Sequence, residues 1–199
     1  MPEVTSDEQD LQDMARLAGG HDAALNALME RHSPKVFHYL LRSLQNEDDA
    51  ADLAQETFVR VYQNRSKFDP TQKFSTWLYA IASNLVRDRY RWRRRHPQVS
   101  MDAENHEDGT ALGETFVDAS PSPGESLQKS ERSEAVKAAI GTLPDELRQP
   151  LLLAVYEGLS QIEIGRILNC SAKAVETRIY RARNHLRESL REGATAWLT

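Results

Sequence analysis

Apolar side chains recur along this chain at intervals of three and four, so that one segment after another reads as an amphipathic helix. Glu8 to Ala18 is the first, with Ser6 or Asp7 as its N-cap and Gly19-Gly20 as its stop. Asp22 can cap a second, in which Ala24, Leu25, Leu28 and Met29 keep the spacing up to Arg31. Ser33-Pro34 then supplies a cap and a first-turn proline for a third helix through Leu44, with Val36, Phe37, Leu40, Leu41 and Leu44 as its buried face. Gln45-Asn46 breaks the pattern. From Glu47 to Gln63 two stripes share one helix: Ala50, Leu53, Ala54, Thr57, Phe58 and Val61 make a core face, and Asp52, Gln55, Glu56 and Val59 make another that is polar at its centre. That second face suits solvent or a partner helix equally.

The stretch Asn64 to Lys73, with its Asp-Pro pair, reads as a loop. Phe74 to Arg95 follows without a helix breaker: Phe74, Trp77, Leu78, Ile81 and Leu85 form an apolar stripe, and Arg87, Arg89, Arg91, Arg93, Arg94 and Arg95 crowd the last two turns against Asp88 alone. Pro97 ends it. The pattern then lapses to about Gln128, where glycines, prolines and acids predict a flexible acidic linker. A helix from Ser130 to Ile140 follows. Pro144 suits the first turn of a helix to about Glu157, inside which Pro150 predicts a kink or a late start. Ser160-Gln161-Ile162-Glu163 is a capping box opening a short helix to Leu168, and the turn Asn169-Cys170-Ser171 leads to a last helix, about Ala172 to Glu192. A short capped helix, a tight turn and a longer basic helix are the pattern of a helix-turn-helix. Its expected core is Ile162, Ile167, Leu168, Val175 and Ile179; its expected DNA side is Lys173, Arg178, Arg181, Arg183, Arg187 and Arg191. On spacing alone a helical hairpin with a charged surface fits as well. The fold class is all-α: two small helical domains, residues 1–96 and 130–199, joined by a linker over 97–129.

Composition narrows the function classes. With 199 residues, 40% of them hydrophobic, the chain can build two small cores. No apolar run, Leu151 to Tyr156 included, approaches the roughly 20 residues of a membrane span, and the acidic start is not a signal peptide. The single cysteine, Cys170, excludes an internal disulfide and fits a reducing cytoplasm. A net charge of −5 argues against strong free binding to nucleic acid, but residues 1–96 carry 14 acids and 14 bases while residues 97–129 carry seven acids against Lys129. Basic stripes are therefore local, and nucleic acid is a partner held with the help of a second protein. Arginine in place of lysine at the end of Phe74–Arg95 favours phosphate recognition and base stacking; a solvated face complementing the helix dipole is the alternative. No glycine loop cradles phosphate. His21, His32, His38, His96, His106 and His185 are scattered with no second ligand at metal spacing, so no catalytic residue, metal or cofactor is expected.

The run DDAADLAQETFVRVYQNRSKFDPTQKFSTWLYAIASNLVRDRYRWRRR resembles region 2 of the sigma-70 family, and GLSQIEIGRILNCSAKAVETRIYRARNHLRESL resembles its region 4. Both in this order, with no region 3 domain between, resemble the extracytoplasmic-function sigma factors of bacteria over roughly residues 10–192. The resemblance implies a cytoplasmic, non-enzymatic subunit that binds core RNA polymerase at the β′ clamp helices and β flap and opens promoter DNA at the −10 element. It also implies anchoring on the −35 element and a stress response under an anti-sigma factor. It places Asp52, Gln55, Glu56 and Val59 on the clamp-helix surface. Phe68 falls in the loop that captures a flipped −10 base and Asn84 on a reader of that element, chemistry that stacking and amide hydrogen bonds suit; Arg87, Arg91 and Arg94 would grip the backbone. Trp77 belongs to the core. In region 4 it implies base reading by Glu176, Thr177, Tyr180 and Arg181 and phosphate contacts by Lys173, Arg178 and Arg183. Glu176 stands where many relatives have a basic residue, so no −35 sequence carries over. The linker could span on the order of 110 Å at ~3.3 Å per residue, enough for the roughly 85 Å between elements about 25 base pairs apart. A stand-alone helix-turn-helix regulator with a second domain for sensing or dimerisation is the alternative, separated by whether DNA binding depends on core polymerase.

Overall fold

A computed structural model describes residues 5–96 and 123–196. Most of the expected linker and the tail residues Trp197 and Leu198 lie outside the described residues. Among the described residues, all regular structure is helical: α1 (Ser6–Ala18), α2 (Ala24–Leu44), α3 (Glu47–Gln63), α4 (Phe74–Arg95), α5 (Pro123–Thr142), α6 (Asp145–Val155), α7 (Gln161–Leu168) and α8 (Ala172–Ala196), with a 3-10 turn at Arg65–Lys67.

Helices α1 to α4 pack as one bundle. The cap of α1 is Thr5, not Ser6 or Asp7: its hydroxyl accepts from the Glu8 amide at 3.3 Å, and the Glu8 carboxylate accepts from the Thr5 amide at 2.9 Å. The spacing predicts two helices broken at Ser33-Pro34, but α2 runs through Pro34 without interruption. A proline inside a helix costs about 3 kcal/mol, and burial on both sides of it offsets that cost. Leu28 and His32 before it, and Val36, Tyr39 and Leu40 after it, are all buried, while Pro34 itself is exposed. His32 Nε2 also meets the buried Asp10 carboxylate at 2.7 Å, and Arg31 bonds Asp10 at 2.9 Å and Asp13 at 2.6 Å, fastening α1 to this stretch. Asn46 opens α3, its side-chain oxygen accepting from the Asp49 amide at 2.8 Å.

Helix α4 has the expected bounds, and Phe74, Leu78 and Leu85 are buried as its stripe predicts. Tyr79, Ala82, Ser83 and Val86 are buried too. The helix is covered twice, by α1, α2 and α3 and by α7 of the second half of the chain.

In that half, α5 begins at Pro123, earlier than Ser130, and α6 begins at Asp145 with Pro150 buried within it rather than starting late. Ser160 and Glu163 form the expected capping box. One core expectation fails: Ile162 is 62% exposed and Ile164 is fully buried. The cap at Ser160 sets the phase of α7, and with only eight residues its inner face is Ile164, Gly165, Ile167 and Leu168. Val175, Ile179 and Ala182 of α8 complete that core. The turn after α7 uses a left-handed Asn169, φ 53°, and folds so tightly over Gly165 that a Cβ there would lie 2.7 Å from the Cys170 carbonyl oxygen.

Candidate nucleic-acid interface

The six arginines of α4 divide by what they touch. Arg89 bonds Asp49 at 2.7 Å, and Arg93 bonds the other oxygen of the same carboxylate and reaches the Leu44 carbonyl. Both are anchors to the first turn of α3. Arg87 donates to Asn84 Oδ1 at 2.7 Å, and Arg91 pairs with Asp88 one turn earlier. Arg94 and Arg95 stand exposed. Asn84 is exposed with its oxygen occupied by Arg87, which turns its amide N–H donors outward. A guanidinium and an amide so linked offer donors to a base edge and to a phosphate at once.

The loop before α4 is shaped by its own side chains. Asp69 accepts from the Thr71 amide at 2.9 Å and from its hydroxyl at 2.7 Å, bonds that hold the carboxyl below its ordinary range. Phe68 is half-buried, its ring 5.2 Å from Trp77 and 6.1 Å from Phe74. Trp77 therefore joins the core to the loop, and Phe68 sits as a supported aromatic edge.

On α3, Asp52, Gln55 and Val59 are exposed, Val59 at 46%, and Glu56 is partly covered through an ion pair with Arg60 at 2.8 Å. The sequence reading passed over Trp92. It is 41% exposed, stacked on His96 at 4.8 Å, and lines a groove with Leu53 and Leu85 beside this α3 face. The available signal was a tryptophan that continues the α4 stripe, seven positions after Leu85, inside an arginine run.

On α8, Lys173, Glu176, Thr177, Tyr180, Arg181 and Arg183 share the exposed side, with Tyr180 66% exposed. Lys173 and Glu176 pair at 2.8 Å, and the Thr177 hydroxyl donates back to the Lys173 carbonyl at 2.9 Å. Arg178 is set apart: half-buried, it meets the Cys170 sulfur at 3.5 Å and points into a cleft of about 690 Å³ between the two halves of the chain. Asn84, Arg87, Arg91 and Arg94 line the opposite wall. The structure thus brings the proposed −10 residues of α4 together, apart from Phe68 in the loop, and moves Arg178 from the α8 surface to face them. Among the described residues no group of three His, Cys, Asp or Glu could hold a metal ion, and no helix is long and apolar enough to cross a membrane.

Comparison with known proteins bears on both halves. The family model described as sigma-70 region 2 matches residues 28–96, and that described as sigma-70, region 4 matches residues 133–186. The ECF RNA polymerase sigma factor SigW of Bacillus subtilis is 37% identical over 174 residues, 87% of this chain and 92% of that protein. The RNA polymerase sigma-H factor of Pseudomonas aeruginosa is 32% identical over 94% of this chain and 96% of its own length. Among solved structures, CnrH in complex with the cytosolic domain of CnrY is 29% identical, covering 92% of this chain and 98% of that one with a TM-score of 0.66. The sigma factor RpoE of Bartonella quintana, solved with the anti-sigma factor NepR, shares the fold at 21% identity and a TM-score of 0.64, over 83% of this chain and 96% of that one.

Proposed function

Since the chain belongs to the extracytoplasmic-function sigma factors of the sigma-70 family, we infer that it works as a promoter-specificity subunit of RNA polymerase. It binds the core enzyme, recognises the −35 and −10 elements, promotes melting, and answers to an anti-sigma factor in a stress response. It is a transcription initiation factor that acts in the cytoplasm, and no catalytic residue is assigned to it.

The observation that carries this reading is the pairing, on one chain, of a capped helix-turn-helix with an exposed polar α8 face and a bundle whose α4 presents Asn84 bonded to Arg87 at the start of an arginine run. We assign residues 1–96 to the core-polymerase and −10 domain, 97–129 to the linker and 130–199 to the −35 domain. Asp52, Gln55, Glu56 and Val59 dock the β′ clamp helices, with Trp92 at their edge. Phe68 receives an extruded base; Asn84 reads the −10 strand; Arg87, Arg91 and Arg94 hold its backbone. Glu176, Thr177, Tyr180 and Arg181 read −35 base edges, and Lys173 and Arg183 position α8 on phosphates. Arg178 is a phosphate ligand only once the cleft it faces has opened.

In vitro transcription with core polymerase on a promoter library tests the reading: initiation from a defined pair of elements is expected only when the protein is added. Specific, tight binding of promoter duplex by the protein alone, with core polymerase neither binding it nor changing that affinity, overturns it in favour of a stand-alone regulator.

A further inference from the structure

Helix α1 and its turn into α2 lie against the loop that carries Phe68, and they hold it along its length. At the entry to the loop, the Tyr62 hydroxyl donates to Asp22 in that turn at 3.2 Å, and the Arg65 guanidinium lies 4.2 Å over the Tyr62 ring. The 3-10 turn Arg65–Lys67 packs on α1 itself. At the exit, Lys73 stands at the N-cap of α4 and pairs with Asp7 of α1 at 3.3 Å, as well as with Glu163 of α7 at 3.5 Å. Bonds within the loop, such as Thr71 to Asp69 and Lys67 to Asn64, set its shape. Contacts outside it set its place.

The central contact is buried. Asp10 of α1, 1% exposed, meets the Arg31 guanidinium at 2.9 Å and His32 Nε2 at 2.7 Å. An ionised carboxylate only accepts, so His32 donates from Nε2 and the bond fixes the direction of its ring. That ring meets Phe74, the first residue of α4, edge-on, with centroids 5.1 Å apart and planes at 64°. Phe74 is fully buried and in turn meets the Phe68 ring edge-on at 6.1 Å. Edge-on rings have a preferred geometry, and a close-packed interior passes a displacement on. A buried ion pair is often no more stabilising than apolar side chains of the same volume; what it adds here is direction, carried from α1 through two rings to a third.

We propose that Asp10 and His32 are positioning residues for base capture: α1 fixes the loop so that Phe68 stands where an extruded −10 base arrives, and the Asp7–Lys73 pair secures the exit of the loop. This rests on Phe68 receiving that base. It gives α1 a part in promoter opening that is separate from core binding by α3 and from −35 reading by α8. Buried as they are, Asp10 and His32 act on DNA only through Phe74 and Phe68.

Asp10→Asn takes a charge from a buried network and puts the fold itself at risk, so the test is made at His32 and Asp7. Two substitutions each keep one half of the His32 contact: His32→Gln keeps a donor for Asp10 and loses the ring, and His32→Phe keeps a ring and loses the donor. Asp7→Ala removes an exposed pair and leaves the core intact. Each variant, reconstituted with core polymerase, is titrated with single-stranded −10 oligonucleotides varied one base at a time. Phe68→Ala marks the captured position, and Asn84→Ala marks the position read by α4. Both His32 variants are expected to lose about tenfold in discrimination at the Phe68 position, because a misplaced ring forfeits its stacking on the base. Discrimination at the Asn84 position and affinity for core polymerase stay unchanged. Asp7→Ala should lose about twofold at the Phe68 position, as suits an exposed ion pair. Full discrimination in both His32 variants, where Phe68→Ala has lost it, overturns the proposal and leaves the role of Phe68 standing; full discrimination in His32→Phe alone removes Asp10 from it. Equal losses at both positions, or a parallel loss of core affinity, overturn it too, since a destabilised bundle behaves that way. If Phe68→Ala flattens no position, the role of Phe68 falls and the proposal falls with it.

Discussion

Asn84 and Arg91 sit two turns apart on one helix and differ in what they can do to DNA. An amide with its donors turned outward discriminates base edges, while an arginine over phosphate holds any sequence. Asn84→Ala is accordingly expected to change −10 preference, and Arg91→Ala to weaken binding uniformly with a shallower salt dependence; holoenzyme binding to a set of −10 variants at several salt concentrations separates the two. At Gly165 the constraint is steric. A methyl group 2.7 Å from the Cys170 carbonyl oxygen must displace backbone, so Gly165→Ala is expected to cost about 1–3 kcal/mol, read as a lower urea midpoint. Arginine count in the sequence could not show that Arg89 and Arg93 are spent on Asp49, because that pairing joins residues forty or more positions apart. Nor could it show Arg178 turning away from the α8 surface.

Among the elements, α3 and α7 were the most legible because local chemistry decides them. The two stripes of α3 separate in the structure as they do in the sequence, one toward the core and one outward. Reversing charge at Asp52 and Glu56 is expected to abolish core-polymerase binding while leaving helicity and the melting temperature near those of the parent, a pairing that co-elution and circular dichroism check. The capping box of α7 carries a pH signature. Hydrogen bonds from Ser160, its hydroxyl first, hold Glu163 below its ordinary value. A depressed carboxylate stabilises the fold above its unfolded pKa and loses that contribution as pH falls through the folded one. Ser160→Ala should therefore cost about 1 kcal/mol at pH 7, and the gap from the parent in denaturant titrations should narrow in acid. In α2 the local signal misled: Ser-Pro is a good helix start, yet the partners of Arg31 and His32 on α1 carry the helix through it.

For the whole molecule, the seam between the halves sets the terms. Glu157 lies at it, pushed above its ordinary carboxylate range mainly by burial. A raised carboxyl stabilises the folded state fully below its unfolded pKa and loses that contribution as pH rises through the folded one. Glu157→Gln keeps an acceptor for Tyr79 without the buried charge, so it is expected to melt at or above the parent temperature at pH 7 and to converge with the parent as the pH is lowered; a loss of stability at neutral pH would count against this account. By itself the sequence determined the helical class, the order of the elements, the helix-turn-helix and the residue types offered to polymerase and DNA, since periodicity, caps and charge are written within a few residues of one another. Only the tertiary structure decided that α4 is buried on two sides, that α2 crosses its proline and that Ile162 faces outward. The same holds for Arg148, which joins the C-terminal ends of α2 and α5: these are outcomes of contacts between distant segments, whose strength depends on what lies opposite rather than on what lies next.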